Sequence, residues 1–273
     1  DVYKRQDDLR AWTETGGTLI AIDRSTAAIA REEGGIGSIR MLPDILAKPE
    51  PYLQAIIREW EGSTTVVDPE SVWSHTAPTG DRTPKIPWQG AGLYEGEKPD
   101  EDELKRRDEW RQIFMPRGAI VAGRIDDRSW LTAGCNDYLP LIYRGKNVLM
   151  VPPSADAPVR VGTFHPAPPK PEVKQDADAE EDDGTDTKPA PGWTVAPPGF
   201  ELRVRMSGLL WPEAAERIAN SACVARDEVG DGQVILFATD PLFRASTPGT
   251  ERLFINAVVC GPGMGADQPI ELR

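Results

Sequence analysis

Two aspartates end apolar runs: Asp23 follows TLIAI and Asp240 follows VILFAT. Ligands of open α/β sheets collect beyond the carboxyl ends of the parallel strands. Two acids at such ends therefore make a candidate polar pocket. The segment after Asp240 adds Arg244, Ser246, Thr247 and Thr250 at the start of a helical pattern, where free backbone N–H groups hold an anion. On this reading Asp23, Asp240, Arg244, Thr247 and Thr250 bind a small polar or sugar ligand. A structural reading competes and is favoured by the residue types: Asp240 caps its loop and Arg244 pairs with an acid to fix it.

Other chemistries find less support. AGCND (133–137) sets Gly134 before Cys135, but a nucleophile elbow needs small residues on both sides and a helix behind it. Cys223 falls in a strand pattern and Cys260 at a helix end, where thiols act as small apolar groups. Ser207-Gly208 has no histidine nearby in sequence, and a triad needs one within reach. The two histidines, His75 and His165, precede Thr-Ala-Pro and Pro-Ala-Pro, so neither begins a His-x-x-Glu or His-Glu-x-x-His zinc arrangement. GGIGS (34–38) follows a helical pattern rather than a strand, the wrong context for a phosphate cradle. The tryptophans of 60–130 suit a sugar surface, although scattered tryptophans are more often core. The residues therefore predict no catalytic site, no metal site and no cofactor in this chain.

Composition narrows the classes further. The 273 residues carry 31 basic and 44 acidic side chains, a net charge of −13. That balance argues against nucleic acid or an anionic membrane as the main partner. No apolar run approaches the roughly 18 residues of a membrane span. Three widely spaced cysteines make neither a disulfide framework nor a zinc ribbon.

The elements that must position these residues are legible as patterns. DVYKRQ resembles the translation of a library adapter, so residues 1–6 are set aside as a scar. The rest of the chain is then expected to be the tail of a longer protein. Leu9, Ala11 and Trp12 lead to the helix stop Gly16-Gly17. A buried strand (18–23) and a helix over 26–33, capped by Ser25, come next, the order of a parallel α/β sheet. Leu53, Ile56, Ile57 and Trp60 form one helical stripe within 43–61, with Pro49 and Pro51 breaking its front. Residues 62–99 read as an irregular excursion that still needs to bury tryptophans. A helix over 99–114 has acids at its positive end. Its i,i+4 pairs are Glu101–Lys105, Asp102–Arg106 and Glu103–Arg107, and it turns Leu104, Ile113 and Phe114 inward.

Strands are expected at 118–126, 139–143, 147–151 and 159–164, with Arg144-Gly145-Lys146 as a hairpin turn. Residues 170–188 hold eight acids and three lysines. The Pro-rich acidic segment 165–199 is expected to be a disordered insertion within one domain spanning 7–273. Beyond it come a strand from 201, a helix over 212–220 opened by Pro212, a strand–turn–strand unit over 222–240, and a closing helix over 250–259. Leu253, Phe254, Ala257 and Val258 share one face of that last helix.

GGTLIAID (16–23), DEDELKRRDEW (100–110), WLTAG (130–134), LPLIYRGKNVLM (139–150), SGLLWPEAAERIANSA (207–222) and GQVILFATDPLFRASTPGTERLFINAVVCGP (232–262) together resemble the C-terminal region of bacterial zinc carboxypeptidase-like proteins of the carboxypeptidase A type. The resemblance covers roughly residues 9–262. It implies a flavodoxin-like α/β domain, related to class I glutamine amidotransferases but without their nucleophile, with flanking helices, additional antiparallel strands and an incomplete N-terminal side. It also implies that zinc belongs to a missing N-terminal peptidase domain of the same chain, the expected partner, and that the parent is periplasmic or secreted. No position here matches the family's zinc ligands or catalytic glutamate. The resemblance therefore implies a noncatalytic accessory domain.

Overall fold

The computed structural model describes residues 2–65, 88, 100–168 and 192–263. Helix α1 (Val2–Glu14) begins inside the segment set aside as a scar. It stops at Gly16, whose φ of 109° suits glycine. The indole of Trp12 packs on Gly17, where a Cβ would lie 2.6 Å from Trp12 Cε3. Strand β1 (Thr18–Ile22) and helix α2 (Arg24–Ile29) come next, in the expected order.

Sheet formation recruits most of the remaining chain. The path runs β1, β11 (Gly232–Phe237), β10 (Ala222–Val229), β6 (Asp156–Val161), β3 (Arg117–Ile125), β4 (Tyr138–Arg144). Two short strands, β2 (Arg40–Met41) and β5 (Leu149–Met150), pair with each other, and β5 also pairs with β10. β9 (Arg205–Ser207) lies on β3. β7 (Thr163–Pro166) and β8 (Phe200–Arg203) form a separate ribbon.

The result is an α/β protein with a mixed sheet and flanking helices, in which antiparallel pairing dominates. Among the described pairings β1–β11 is the one parallel ladder, starting at Thr18↔Gln233, and the others are antiparallel. Strands joined by tight turns must run antiparallel. β10 and β11 meet across Gly230-Asp231 in this way.

The hairpin expected at Arg144-Gly145-Lys146 does not join β4 to β5. β4 is used up along β3 from Tyr138 to Arg144, while β5 pairs with β2 and β10. The turn's polar groups are taken elsewhere. Lys146 O accepts from Arg217 Nη1 at 2.9 Å, and Asn147 Nδ2 donates to Asp23 O at 2.7 Å. The chain therefore crosses to another ladder rather than doubling back.

β11 is buried along its whole length, and alternation sends its side chains to two cores. Ile235 and Phe237 join Leu141, Val159 and Val161, together with Leu253 and Ala257 of α7 (Pro248–Cys260) and Ala214 and Ile218 of α6 (Pro212–Ile218). Val234 and Leu236 join Ala21, Ile39, Leu149 and Ile29 of α2, with Leu9 of α1 packed against them. Each fully buried aliphatic or aromatic side chain is worth about 1.5–3 kcal/mol.

A third cluster lies beside the β7–β8 ribbon. There α4 (Glu50–Thr64) presents Leu53, Ile56 and Ile57 to Trp88 and Val195. As Pro49 and Pro51 require, α4 starts only at Glu50, behind the short α3 (Leu42–Ile45). Within 165–199, Trp193, Val195 and Ala196 are buried and Pro166, Pro168, Pro198 and Gly199 are exposed. Residues 169–191 lie outside the described residues, as do Trp73 and His75.

Helix α5 (Glu101–Ile113) is capped by Asp100, whose side chain accepts from Glu103 N at 2.7 Å. Glu101–Lys105 and Glu103–Arg107 form as expected, but Arg106 Nε donates to the Asp102 backbone carbonyl at 3.4 Å instead. Ile113 corrects the inward assignment, being 70% exposed. It belongs to an outer face with Leu209 and the rings of Trp110, Phe114 and Trp211. Val258 on α7 likewise faces outward. Two buried ion pairs cross between elements. Arg217 of α6 grips Asp108 of α5, and Arg160 of β6 grips Glu59 of α4.

Candidate functional site

The strand ends come first, because the sequence points there. Asp23 occupies the N-cap position of α2 without a side-chain capping bond, at a positive φ of 48° uncommon for a residue with a side chain. Its N–H donates to Phe237 O at 3.0 Å, and Asn147 Nδ2 ties Asp23 O to Ala238 O. Asp240 turns its carboxylate onto its own loop, accepting from Leu242 N at 2.9 Å. Thr250 Oγ1 lies 2.7 Å from Pro241 O and 2.6 Å from Thr247 Oγ1. Both threonines are buried. Arg244 is exposed and lies against the ring of Phe243, its Cζ 5.2 Å from the centroid. Among the described residues Arg244 makes no ion pair with Asp23 or Asp240. Asp240, Thr247 and Thr250 are thus occupied in holding the loop that leads into α7.

The thiols are equally committed. Cys223 is buried in β10, 3.9 Å from Thr239 Oγ1, and burial pushes its thiol up to about 11. Cys135 is half-buried with its Sγ 3.9 Å from Gly249 O, and burial raises it too, partly offset by Arg252. Nucleophilic thiols need the opposite shift.

The Cys223 shift carries a stability consequence. An unfolded cysteine ionises near 8.5, whereas the folded Cys223 holds its proton to about 11. Its contribution is fully present below about pH 8.5 and is lost as pH rises towards the folded value. Urea midpoints of the wild type are therefore expected to fall between pH 8 and 11 more steeply than those of Cys223→Ala. Parallel curves would show that this thiol does not carry the effect.

A second site was not legible in the sequence. A cleft of about 440 Å³ opens between α4, the carboxyl half of β3 and strands β4, β7, β8 and β9. Trp60 forms one wall, its ring 4.9 Å from Phe164 at an interplanar angle of 82°. Trp88 and Phe200 support Trp60 from behind. Arg124 reaches over Phe164 with its Cζ 4.2 Å from the ring centroid, a cation–π contact. Its Nη1 donates to Gly162 O at 2.9 Å and its Nη2 to Asn220 Oδ1 at 3.2 Å.

Among the described residues no carboxylate lies within ion-pair distance of Arg124. Glu59, the nearest acid by charge effect, is held by Arg160. Burial, with repulsion from Arg160 added, pulls the Arg124 guanidinium down to about 9 even though the residue keeps some contact with solvent. Arg203 and Arg205 stand on the same wall, Arg203 paired with Glu201 at 2.5 Å. His165 lines the cleft too, one ring nitrogen 2.9 Å from Thr163 Oγ1. The available sequence signal was weak: a single arginine inside the apolar strand GAIVAGRID, and a tryptophan at the end of a helical stripe.

Among the described residues no cluster of three or more His, Cys, Asp or Glu side chains is placed to hold a metal. No described helix is long and apolar enough to cross a membrane. Comparison with protein-family models, with curated proteins and with solved structures finds no match.

Proposed function

We propose that the chain is a noncatalytic α/β accessory domain of a longer zinc carboxypeptidase-like protein. In this reading the domain is flavodoxin-like, related to class I glutamine amidotransferases. Zinc and peptide cleavage belong to an N-terminal peptidase domain of the same protein, which is the partner. The observation that carries the reading is how polar side chains are used at the strand ends. Asp240 accepts from its own loop, Thr250 bonds Pro241 O and Asn147 ties Asp23 O to Ala238 O. These bonds brace the scaffold: the Asp240 carboxylate and the Thr250 hydroxyl serve their own loop, and Asp23 is held through its backbone, an arrangement that supports a structural role over acid, base or nucleophilic work. The outward face of Trp110, Ile113 and Trp211 further supports a module that works in contact with another body.

The experiment is an assay of the chain with carboxypeptidase substrates, with zinc added and then removed by chelator. No release of C-terminal residues is expected in either state, and turnover abolished by chelation would refute the noncatalytic claim. The upstream reading frame is expected to encode a His-x-x-Glu motif. A frame without one removes the zinc peptidase parent.

A further inference from the structure

The cleft beside Arg124 is independent of the peptidase reading. We propose that it binds a small organic carboxylate with an aromatic or branched apolar body. The carboxylate would lie between Arg124 and Arg205 and the body against Trp60, Phe164 and Tyr138. Its volume of about 440 Å³ falls within the roughly 300–1,000 Å³ of small-molecule sites, which pair apolar walls with a few fixed polar groups.

The charge of the wall is the main argument. The whole chain carries −13, yet this wall presents Arg124 and Arg205, beside an Arg203 already paired with Glu201, against the single lining carboxylate Asp137. Arg205 is exposed and makes no ion pair with the described residues. Arg124 is the more telling case. A cation largely withdrawn from water is costly unless it is paired. Among the described residues its only hydrogen-bond acceptors are one carbonyl and one amide oxygen. A guanidinium offers five donors in a planar fork suited to a carboxylate. Phe164 and Asn220 hold that fork in place, so little ordering cost remains at binding.

Two features narrow the ligand class. The aromatic walls favour an apolar body over an inorganic ion. Asp137 on the same wall repels a second negative charge, so a monocarboxylate fits better than a phosphate dianion.

The test uses the whole chain and its tryptophan fluorescence, with isothermal titration as the second readout. The probes are phenylacetate, 4-methylpentanoate, 2-phenylethanol as the uncharged counterpart, and inorganic phosphate. Both acids are expected to bind saturably, with 2-phenylethanol weaker by roughly tenfold or more, the value of a charge-assisted contact. Phosphate is expected neither to bind nor to displace phenylacetate. Arg205→Gln, on the surface, is expected to keep the wild-type melting temperature and weaken phenylacetate roughly tenfold, with Arg205→Lys recovering part of the loss. Absence of saturable binding by either acid overturns the proposal. So does equal affinity for the alcohol, displacement by phosphate, or wild-type affinity in Arg205→Gln. None of these outcomes bears on the chelator assay, so the two readings fail separately.

Discussion

Asp108→Ala is expected to cost about 3–5 kcal/mol, the penalty for stranding a buried charge, against a typical domain stability of about 5–15 kcal/mol. Arg217 is 1% exposed and Asp108 5%. Arg217 Nε donates to Asp108 Oδ1 at 2.7 Å and Nη2 to Oδ2 at 3.1 Å, while Nη1 satisfies Lys146 O. Gln112 Nε2 adds a fourth bond, to Oδ2 at 2.9 Å. Removing the carboxylate leaves the guanidinium desolvated with one carbonyl for company. The pair Asp108→Leu/Arg217→Met is expected to recover most of the loss, because replacing both partners by apolar groups is often near neutral. Glu101→Ala, which breaks an exposed pair on the same helix, is expected to leave the urea midpoint almost unchanged. Urea unfolding of the four proteins decides the matter. A midpoint for Asp108→Ala close to that of Glu101→Ala would show that the buried pair does not hold α5 to α6.

Asn220→Leu is expected to be the second most damaging change, at roughly 3 kcal/mol or more from lost hydrogen bonds and backbone strain. Asn220 is wholly buried and sits at φ 53°. Its Nδ2 donates to Trp193 O at 2.6 Å and Val195 O at 2.8 Å, and its Oδ1 accepts from Arg124. Its own carbonyl accepts from Arg160 Nη1 at 2.9 Å. One amide therefore stitches 193–195 to the sheet and orients the guanidinium of the cleft. Leucine removes those side-chain bonds and resists the left-handed backbone. Asn220→Gly accepts the left-handed backbone while losing the same bonds and the side-chain volume, so a smaller loss than that of Asn220→Leu marks the conformational part. Equal and small losses in chemical denaturation would refute both contributions.

The elements were largely readable and their pairing was not. The i, i+3, i+4 stripe of α4, the acids opening α5 and Pro212 opening α6 are local signals, and local signals set local structure. Strand direction has no such signal. VILF is buried on both faces whether its neighbours run with it or against it; the turn at 230–232 marks β10 as its antiparallel neighbour, but no local signal names β1 as the parallel one on the other side. The turn at 144–146 misled because the carbonyl of Lys146 answers to Arg217 and the side-chain amide of the following Asn147 to Asp23, both far away in the chain. Phe114 packs against the core as its pattern implies, whereas Ile113 misled because an apolar residue on a helix was taken to face the core, while Trp110, Leu209 and Trp211 are exposed with it outside.

The candidate site divides in the same way. Asp240 as a loop cap was readable, since an aspartate ending a strand finds a nearby N–H within its own turn. The cleft was not. Arg124, Trp60, Phe164 and Arg205 come from separate elements with no shared spacing. Trp60 at the end of a helical stripe looks the same in sequence whether it fills a core or lines a wall. Only the ribbon of β7 and β8 brings Phe164 under Arg124.

The parallel ladder of β1 on β11 also dictates an order of events at the ribosome. Thr18 and Gln233, which meet in it, are separated by 215 positions. β1 leaves the exit tunnel long before its partner is translated, and an exposed apolar strand waiting that long invites chaperones or misassembly. The β10–β11 hairpin, closed by a short turn, can form as soon as it emerges. It then offers β1 its lasting place, so nascent chains arrested before residue 232 should hold β1 undocked.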